Sequence, residues 1–253
     1  MKKWVIAVTI VLYFPFMAAS QELTAREIVK KANEVMNQER VAVKVKMTIM
    51  TTSGKTRELF FDSWSMGHGE KNLIRYTAPR RVKDQAILLL NNADDIWSYF
   101  PRTNRVRKLA SHAKRQKIQG SDFSYEDMGA GDRFLKDFTP KRLGSENREG
   151  HPCHKIELTK KKDVDSNYSR MILWVDMENY MIWAIDYYDE KEDTLKTKTL
   201  IMSDMKIIEG IPTPRKMVMY NHLDNTKTVQ ELLEISYRVD LNEEMFTERG
   251  LKK

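Results

Sequence analysis

Apolar and polar residues alternate along most of the chain after residue 40, and this pattern predicts a protein built mainly of β-strands. The clearest example runs from Val41 to Ile49, where every second residue is a large apolar side chain. That period is typical of a strand with one buried face. Clusters of turn-forming residues separate successive segments of this kind. We therefore expect about ten strands in hairpin order, forming one strongly curved antiparallel sheet.

Apolar residues ahead of these strands recur at helical spacing and predict one helix over residues 25–38. The members of its apolar face are Ile28, Ala32, Val35 and Met36. Thr24 and Glu27 stand at capping-box spacing, so their side chains can bind the free backbone N–H groups at the helix start.

The middle of the chain, residues 111–140, loses the alternation and is polar, so we expect short helical turns and loops there. Some predicted strands are apolar on both faces, as at residues 60–64 and 172–175. A sheet that is open to water on one side would not show this pattern. We therefore expect the helix and the middle segment to cover the inner face of the sheet.

The first twenty residues predict a cleaved secretory signal. A positive start at Lys2-Lys3 precedes the almost entirely apolar residues 4–16, and Ala18-Ala19-Ser20 supplies the small residues of a cleavage site. The apolar run is too short to span a bilayer. A single N-terminal anchor helix is the alternative interpretation. We expect a mature protein that forms a single domain over residues 21–253 and works in the periplasm.

The chain is basic, with 43 Lys and Arg against 36 Asp and Glu and a formal net charge of +7. Export argues against nucleic acid as a partner and favours anionic membrane surfaces and lipid headgroups, with peripheral membrane contact. One basic block precedes the middle segment, and its candidate docking residues for a headgroup or a membrane-bound partner are Arg102, Arg105, Arg107 and Lys108. A solvated face that pairs with nearby acids is the alternative.

The sequence carries few signs of catalysis. Metalloprotease, phosphate-loop and Gly-x-Ser-x-Gly motifs are missing. His151-Pro152-Cys153-His154 holds three metal-ligand types, but no second cluster of His or Cys would complete a tetrahedral site. Cys153 is the single cysteine and is interpreted as a small buried hydrophobe. We expect no enzyme activity, no cofactor and no metal.

Residues 120–128 contain three carboxylates, Asp122, Glu126 and Asp127, that could bind a divalent cation or act as an acid and a base. The interpretation we favour is structural, with polar side chains capping short helical turns and apolar ones anchoring the segment on the sheet. A metal-assisted hydrolase that uses the three carboxylates is the less favoured hypothesis.

Three runs of residues resemble a known family: Asp95–Pro101 (DIWSYFP), Arg105–Leu109 (RVRKL) and Gly120–Asp127 (GSDFSYED). They resemble outer-membrane lipoprotein-sorting proteins of the LolA-like superfamily, in the branch associated with RND-type exporters. The resemblance implies a mainly β protein with helices, in which an unclosed, strongly curved antiparallel β-barrel carries a helical lid over an apolar cavity. It also implies a carrier of lipid or lipoprotein acyl chains.

Tryptophan and methionine on the predicted strands are the candidate lining of such a cavity, because flexible thioethers accept varied apolar shapes. The cavity candidates are Trp64, Trp97, Phe100, Trp174, Met181, Trp183, Ile185 and Tyr187. Strand parity predicts that the last four share one face. The lid candidates are Ile28, Val35, Met36, Phe123, Tyr125 and Met128. An ordinary packed core is the alternative for the apolar residues.

The function we expect is a soluble periplasmic carrier that moves lipid or lipoprotein acyl chains toward the outer membrane. The alternative is a periplasmic interaction module, serving an inner-membrane RND-type exporter or a stress-sensing complex, with a protein as its main ligand.

Overall fold

The alternating segment around residue 45 forms a strand near the middle of one large antiparallel sheet. The computed structural model describes residues 22–253, so the predicted signal at residues 1–20 lies outside the described residues. The strands are β1 (Arg40–Met50), β2 (Thr56–Met66), β3 (Lys71–Ala78), β4 (Ala86–Leu90), β5 (Asp95–Phe100), β6 (Arg105–Lys108), β7 (Phe138–Arg148), β8 (His151–Lys160), β9 (Tyr168–Asp176), β10 (Ile182–Asp189), β11 (Lys196–Ile208), β12 (Ile211–Asn221) and β13 (Thr226–Ser236). The described residues thus contain thirteen strands, more than the expected ten or so.

The order of the strands shows that the sheet is open. From one edge to the other it runs β6-β5-β4-β3-β2-β1-β13-β12-β11-β10-β9-β8-β7. The two edge strands, β6 and β7, are consecutive along the chain and are joined by residues 109–137 rather than by hydrogen bonds. The middle segment therefore connects the two edges across the concave side.

The helix α1 (Ala25–Met36) begins with the predicted capping box. The backbone N–H of Thr24 donates to Glu27 Oε2 at 2.8 Å, and the N–H of Glu27 donates to Thr24 Oγ1 at 3.3 Å. Ile28, Val29 and Ala32 are fully buried against the concave side of the sheet. The helix ends two residues before the predicted position 38.

The middle segment consists of short helical turns, as its composition predicts. It contains 3-10 turns at Ser111–Arg115 and Ile118–Gly120, then α2 (Tyr125–Met128) and α3 (Arg133–Asp137). Ser124 and Asp127 form a second capping box at the start of α2. Strand β7 then starts at Phe138, inside the stretch expected to be irregular.

The second face of the sheet is covered by a different part of the chain at β2–β5. Leu241, Phe246 and Leu251 of the C-terminal segment pack there against Met66, Leu73 and Leu88. In the part of the chain that the structure describes, no helix has the length and apolar character needed to cross a membrane.

Candidate functional site

A cavity of about 340 Å³ lies on the concave side of the sheet, beneath the end of α1 and the middle segment. Its wall is built by strands from both halves of the sheet, β1 and β2 on one side and β9–β13 on the other. The apolar wall residues include Val45, Phe61, Met171, Ile182, Ile185, Leu200, Met202, Met217, Leu232 and Ile235. Such a lining suits an apolar ligand.

The burial of strand β1 indicates where the cavity opens. Val45, Met47 and Ile49 are buried, whereas Val41 and Val43 on the same face are only half-buried. The neighbouring end of β2 presents Ser63 and Ser65 to the cavity. The mouth therefore lies at the beginning of β1 and the end of β2.

The roof of the cavity comes from two elements of the chain. Met36 contributes from the end of α1, and Phe123, Met128 and Phe134 contribute from the middle segment. A close backbone contact holds this roof at Gly131, which has a φ of +48°. A Cβ built on Gly69 would lie 2.7 Å from the Cα of Gly131. The two backbone segments can therefore approach this closely only because both residues are glycine.

A buried ion pair joins the roof to the wall. Lys198 Nζ on β11 donates to Asp127 Oδ2 at 2.9 Å and to the Tyr168 hydroxyl at 3.1 Å. The Tyr168 hydroxyl in turn donates to Asp127 Oδ1 at 2.6 Å. Burial raises the pKa of Tyr168, with the charge of Asp127 adding to the effect. The Asp127 carboxylate is therefore already hydrogen-bonded within the protein.

Glu126 is also held by protein groups. It accepts hydrogen bonds from the Ser166 hydroxyl and, at 2.8 Å, from the backbone N–H of Asn167. Burial raises the pKa of Glu126, while these two hydrogen bonds oppose the shift. The Asp127 and Glu126 carboxylates at the cavity are thus engaged by protein groups.

Asp122 fastens the middle segment to the β12–β13 hairpin. Its carboxylate accepts from Thr226 Oγ1 at 2.6 Å and from Thr228 Oγ1 at 2.8 Å, and its backbone N–H donates back to Thr228 at 2.9 Å. The three carboxylates of residues 122–127 therefore serve separate sets of partners. Within residues 22–253 no group of three His, Cys, Asp or Glu side chains is placed to hold a metal ion.

Two of the eight predicted cavity residues line the cavity, Ile185 and Tyr187. Met181 is buried in the same core but is not on the cavity wall. The other five lie away from this cavity. Trp64 and Trp97 pack on the outer face beneath the C-terminal segment, Trp174 and Trp183 form another outer cluster, and Phe100 is 39% exposed.

The misplacement of Trp183 has a specific cause. The pairing of β10 with β9 shifts between Ile182 and Ala184, which is a β-bulge. The extra residue puts both Trp183 and Ala184 in the outer cluster, so strict parity fails. Trp183 donates from Nε1 to Asp176 at 2.9 Å and stacks on His151 with ring centroids 3.8 Å apart.

The lid candidates divide in a similar way. Met36, Phe123 and Met128 line the cavity, Ile28 is fully buried behind them, and Tyr125 packs against the same core. Val35 is half-buried and is not part of that core. Sequence reasoning missed Val29, which takes the place on the buried face of α1 that had been assigned to Val35.

Sequence reasoning also missed most of the wall. Phe61, Met202, Met217 and Leu232 line the cavity but were not proposed. The available signal was the alternation of β1, because residues paired with its inward positions must face the same way. The partner of β1 across the sheet, β13, could not be identified from the sequence.

The basic block separates into paired and unpaired members. Lys108 pairs with Asp95 and lies 5.5 Å from the centre of the Trp97 ring. Arg102, Arg105 and Arg107 are exposed and form no salt bridge with the described residues. Cys153 is fully buried, and burial raises the pKa of its thiol to about 11.

Comparison with known proteins places this fold. A family model described only as an uncharacterized protein-like family matches residues 68–253. The chain belongs to this family. No curated protein matches the chain.

Several solved structures share this fold. A protein of the DUF1329 family from Desulfovibrio piger has a TM-score of 0.82 at 26% identity, over 90% of this chain and 97% of its own. An outer membrane lipoprotein-sorting protein domain from Vibrio parahaemolyticus has a TM-score of 0.81 at 23% identity, over 90% and 97% of the two chains. A LolA superfamily protein from Nitrosomonas europaea has a TM-score of 0.74 at 22% identity, over 89% and 98%.

At the level of the fold, these comparisons confirm the resemblance to outer-membrane lipoprotein-sorting proteins of the LolA-like superfamily. They also confirm the expected fold class, a mainly β protein with one large unclosed and curved antiparallel sheet.

Proposed function

We propose that this family member is a soluble periplasmic carrier, which binds lipid or lipoprotein acyl chains in the concave cavity and moves them toward the outer membrane. Residues 1–20 would be removed on export, leaving residues 21–253 as one carrier domain. The observation that supports the proposal is a mainly apolar cavity whose neighbouring carboxylates, Glu126 and Asp127, are already hydrogen-bonded within the protein.

The free energy of binding would come from the ligand's methylene groups. Each methylene removed from water contributes about 0.8 kcal/mol, so one long acyl chain gains several kcal/mol in the cavity. The volume of about 340 Å³ lies at the small end of the range of about 300–1,000 Å³ that is usual for ligand sites. It favours a single acyl chain over a whole multi-chain lipid.

Release would depend on the roof. Phe123 and Met128 rest on the cavity with their own apolar side chains, and Gly131 and the Asp127–Lys198 ion pair hold their segment in place. A roof of this kind can cover the empty cavity and move aside for cargo.

A lipid-transfer assay tests the proposal. Donor vesicles carrying a fluorescent phospholipid or fatty acid are mixed with unlabelled acceptor vesicles, and transfer is followed with increasing amounts of the purified mature protein. A carrier raises the transfer rate in proportion to its concentration. A folded protein that leaves the rate unchanged would point to an accessory module whose main ligand is a protein, such as an RND-type exporter.

A further inference from the structure

A second cleft, of about 330 Å³, lies where strand β5 ends and is lined by three arginines, Arg81, Arg102 and Arg107. All three side chains are exposed. The lining contains no carboxylate, and none of the three arginines forms a salt bridge with the residues that the structure describes. The cleft is therefore a concentration of positive charge without a counter-ion from residues 22–253.

A fourth arginine extends this charge toward the middle segment. Arg57 donates from its guanidinium to the carbonyl oxygen of Gln119, and its Nε is buried without a hydrogen-bond partner. Burial lowers the pKa of Arg57, and the nearby charge of Arg81 lowers it further. Gln119 also donates to the Gln85 side chain, which lines the cleft, at 3.0 Å. The cleft is thus anchored to the segment that roofs the cavity.

An apolar group stands beside the arginines. Phe100 lines the same cleft, is 39% exposed, and lies directly opposite Arg105 across the β5–β6 pair. Guanidinium groups bind phosphate oxygens through paired hydrogen bonds. An exposed aromatic ring next to such cations suits the boundary between the lipid headgroups and the acyl chains.

We propose that this cleft binds the phosphate group of an anionic phospholipid at a membrane surface, with Arg81, Arg102 and Arg107 on the phosphate and Phe100 at the interface. Lys108 is not part of the site, because Asp95 neutralises it. The site is separate from the concave cavity, and its binding does not require that the cavity carry a ligand.

Vesicle co-sedimentation of the purified mature protein tests this site. The vesicles contain either phosphatidylglycerol with phosphatidylcholine or phosphatidylcholine alone, at low and moderate salt. The test variant carries Arg81→Gln and Arg102→Gln. A control variant carries Lys206→Gln and Lys252→Gln, which removes the same charge from two exposed positions outside the cleft. Each basic residue at an anionic membrane surface contributes about fivefold to the affinity, so removing two arginines should weaken vesicle binding about 25-fold.

The proposal is supported if the wild type and the lysine variant bind phosphatidylglycerol vesicles while the arginine variant loses most of this binding. Equal losses in the two variants would overturn it, since net charge alone would then explain the attraction. The proposal is also overturned if the wild type does not co-sediment with either kind of vesicle, whether or not inorganic phosphate raises the melting temperature of the protein. A rise in melting temperature in that case would indicate a site for free phosphate, and no rise would leave an acidic protein surface as the partner.

Discussion

Placing a carboxylate at Met217 should abolish high-affinity binding of an acyl chain while leaving the protein folded. Met217 lies on β12, between Met202 of β11 and Gln230 of β13, and its side chain lines the cavity. Because the residue is only half-buried, Met217→Asp keeps its charge partly in water while the cavity is empty. We expect a loss of about 1 kcal/mol in the free energy of unfolding.

The substitution weakens binding because of what happens when a ligand enters the cavity. An acyl chain against the wall would remove water from the new carboxylate, and an aspartate in an apolar lipid environment costs about 3 kcal/mol. At about 1.4 kcal/mol for each tenfold change, affinity should fall by roughly a hundredfold. A titration with a fluorescent long-chain fatty acid measures this change, and thermal unfolding checks that the variant is folded.

The neighbouring residue provides the matched control. Val218 is also half-buried but is outside the cavity lining, because successive residues of a strand face opposite sides. Val218→Asp should change the affinity by no more than about twofold. The reasoning is refuted if a folded Met217→Asp variant binds as well as the wild type, or if Val218→Asp weakens binding to the same extent.

Three further predictions concern the roof and its attachments. Lys198→Met leaves the almost fully buried Asp127 carboxylate without its cation. It should lower the free energy of unfolding, measured by denaturant titration, by about 3 kcal/mol. A loss below about 1 kcal/mol would contradict a buried ion pair. Gly131→Ala should lower the free energy of unfolding by about 2 kcal/mol more than Gly54→Ala does. Both glycines have a positive φ, but a Cβ at Gly131 would lie 2.3 Å from Asn92 Nδ2, whereas a Cβ at Gly54 would meet no atom within 4 Å. Equal costs for the two would remove the argument for a close contact. The hydrogen bond from Arg115 lowers the pKa of Glu190 to about 2, so its contribution to stability is present above about pH 4.5 and is lost as the pH falls toward 2. Glu190→Gln should therefore flatten the decline in unfolding free energy over that range, and an unchanged slope would argue against this ion pair.

Much of the local structure was readable from the sequence. The alternation from Val41 to Ile49 lies within β1 (Arg40–Met50), and the capping box at Thr24 forms with the expected partner, Glu27. These features depend on alternation, turns and caps within about ten residues of chain, so the local sequence carries the information they need.

The inward face of each strand was harder to predict, because both faces of the sheet are buried in places. Trp64 and Trp97 look like cavity residues until the C-terminal segment, more than a hundred residues later, is seen to cover them. Trp183 is displaced by a bulge in its pairing with β9. The first effect comes from a contact between distant parts of the chain, and the second from a bulge within a hairpin. Periodicity along a single strand reports neither.

Native mass spectrometry of the mature protein, purified without detergent and followed by lipid extraction, tests the central claim most directly. The account predicts a bound lipid or acylated peptide at close to one per protein, released when the protein unfolds and retained by Val218→Asp but not by Met217→Asp. An empty wild-type protein that also fails to take up a fluorescent fatty acid would contradict the carrier function.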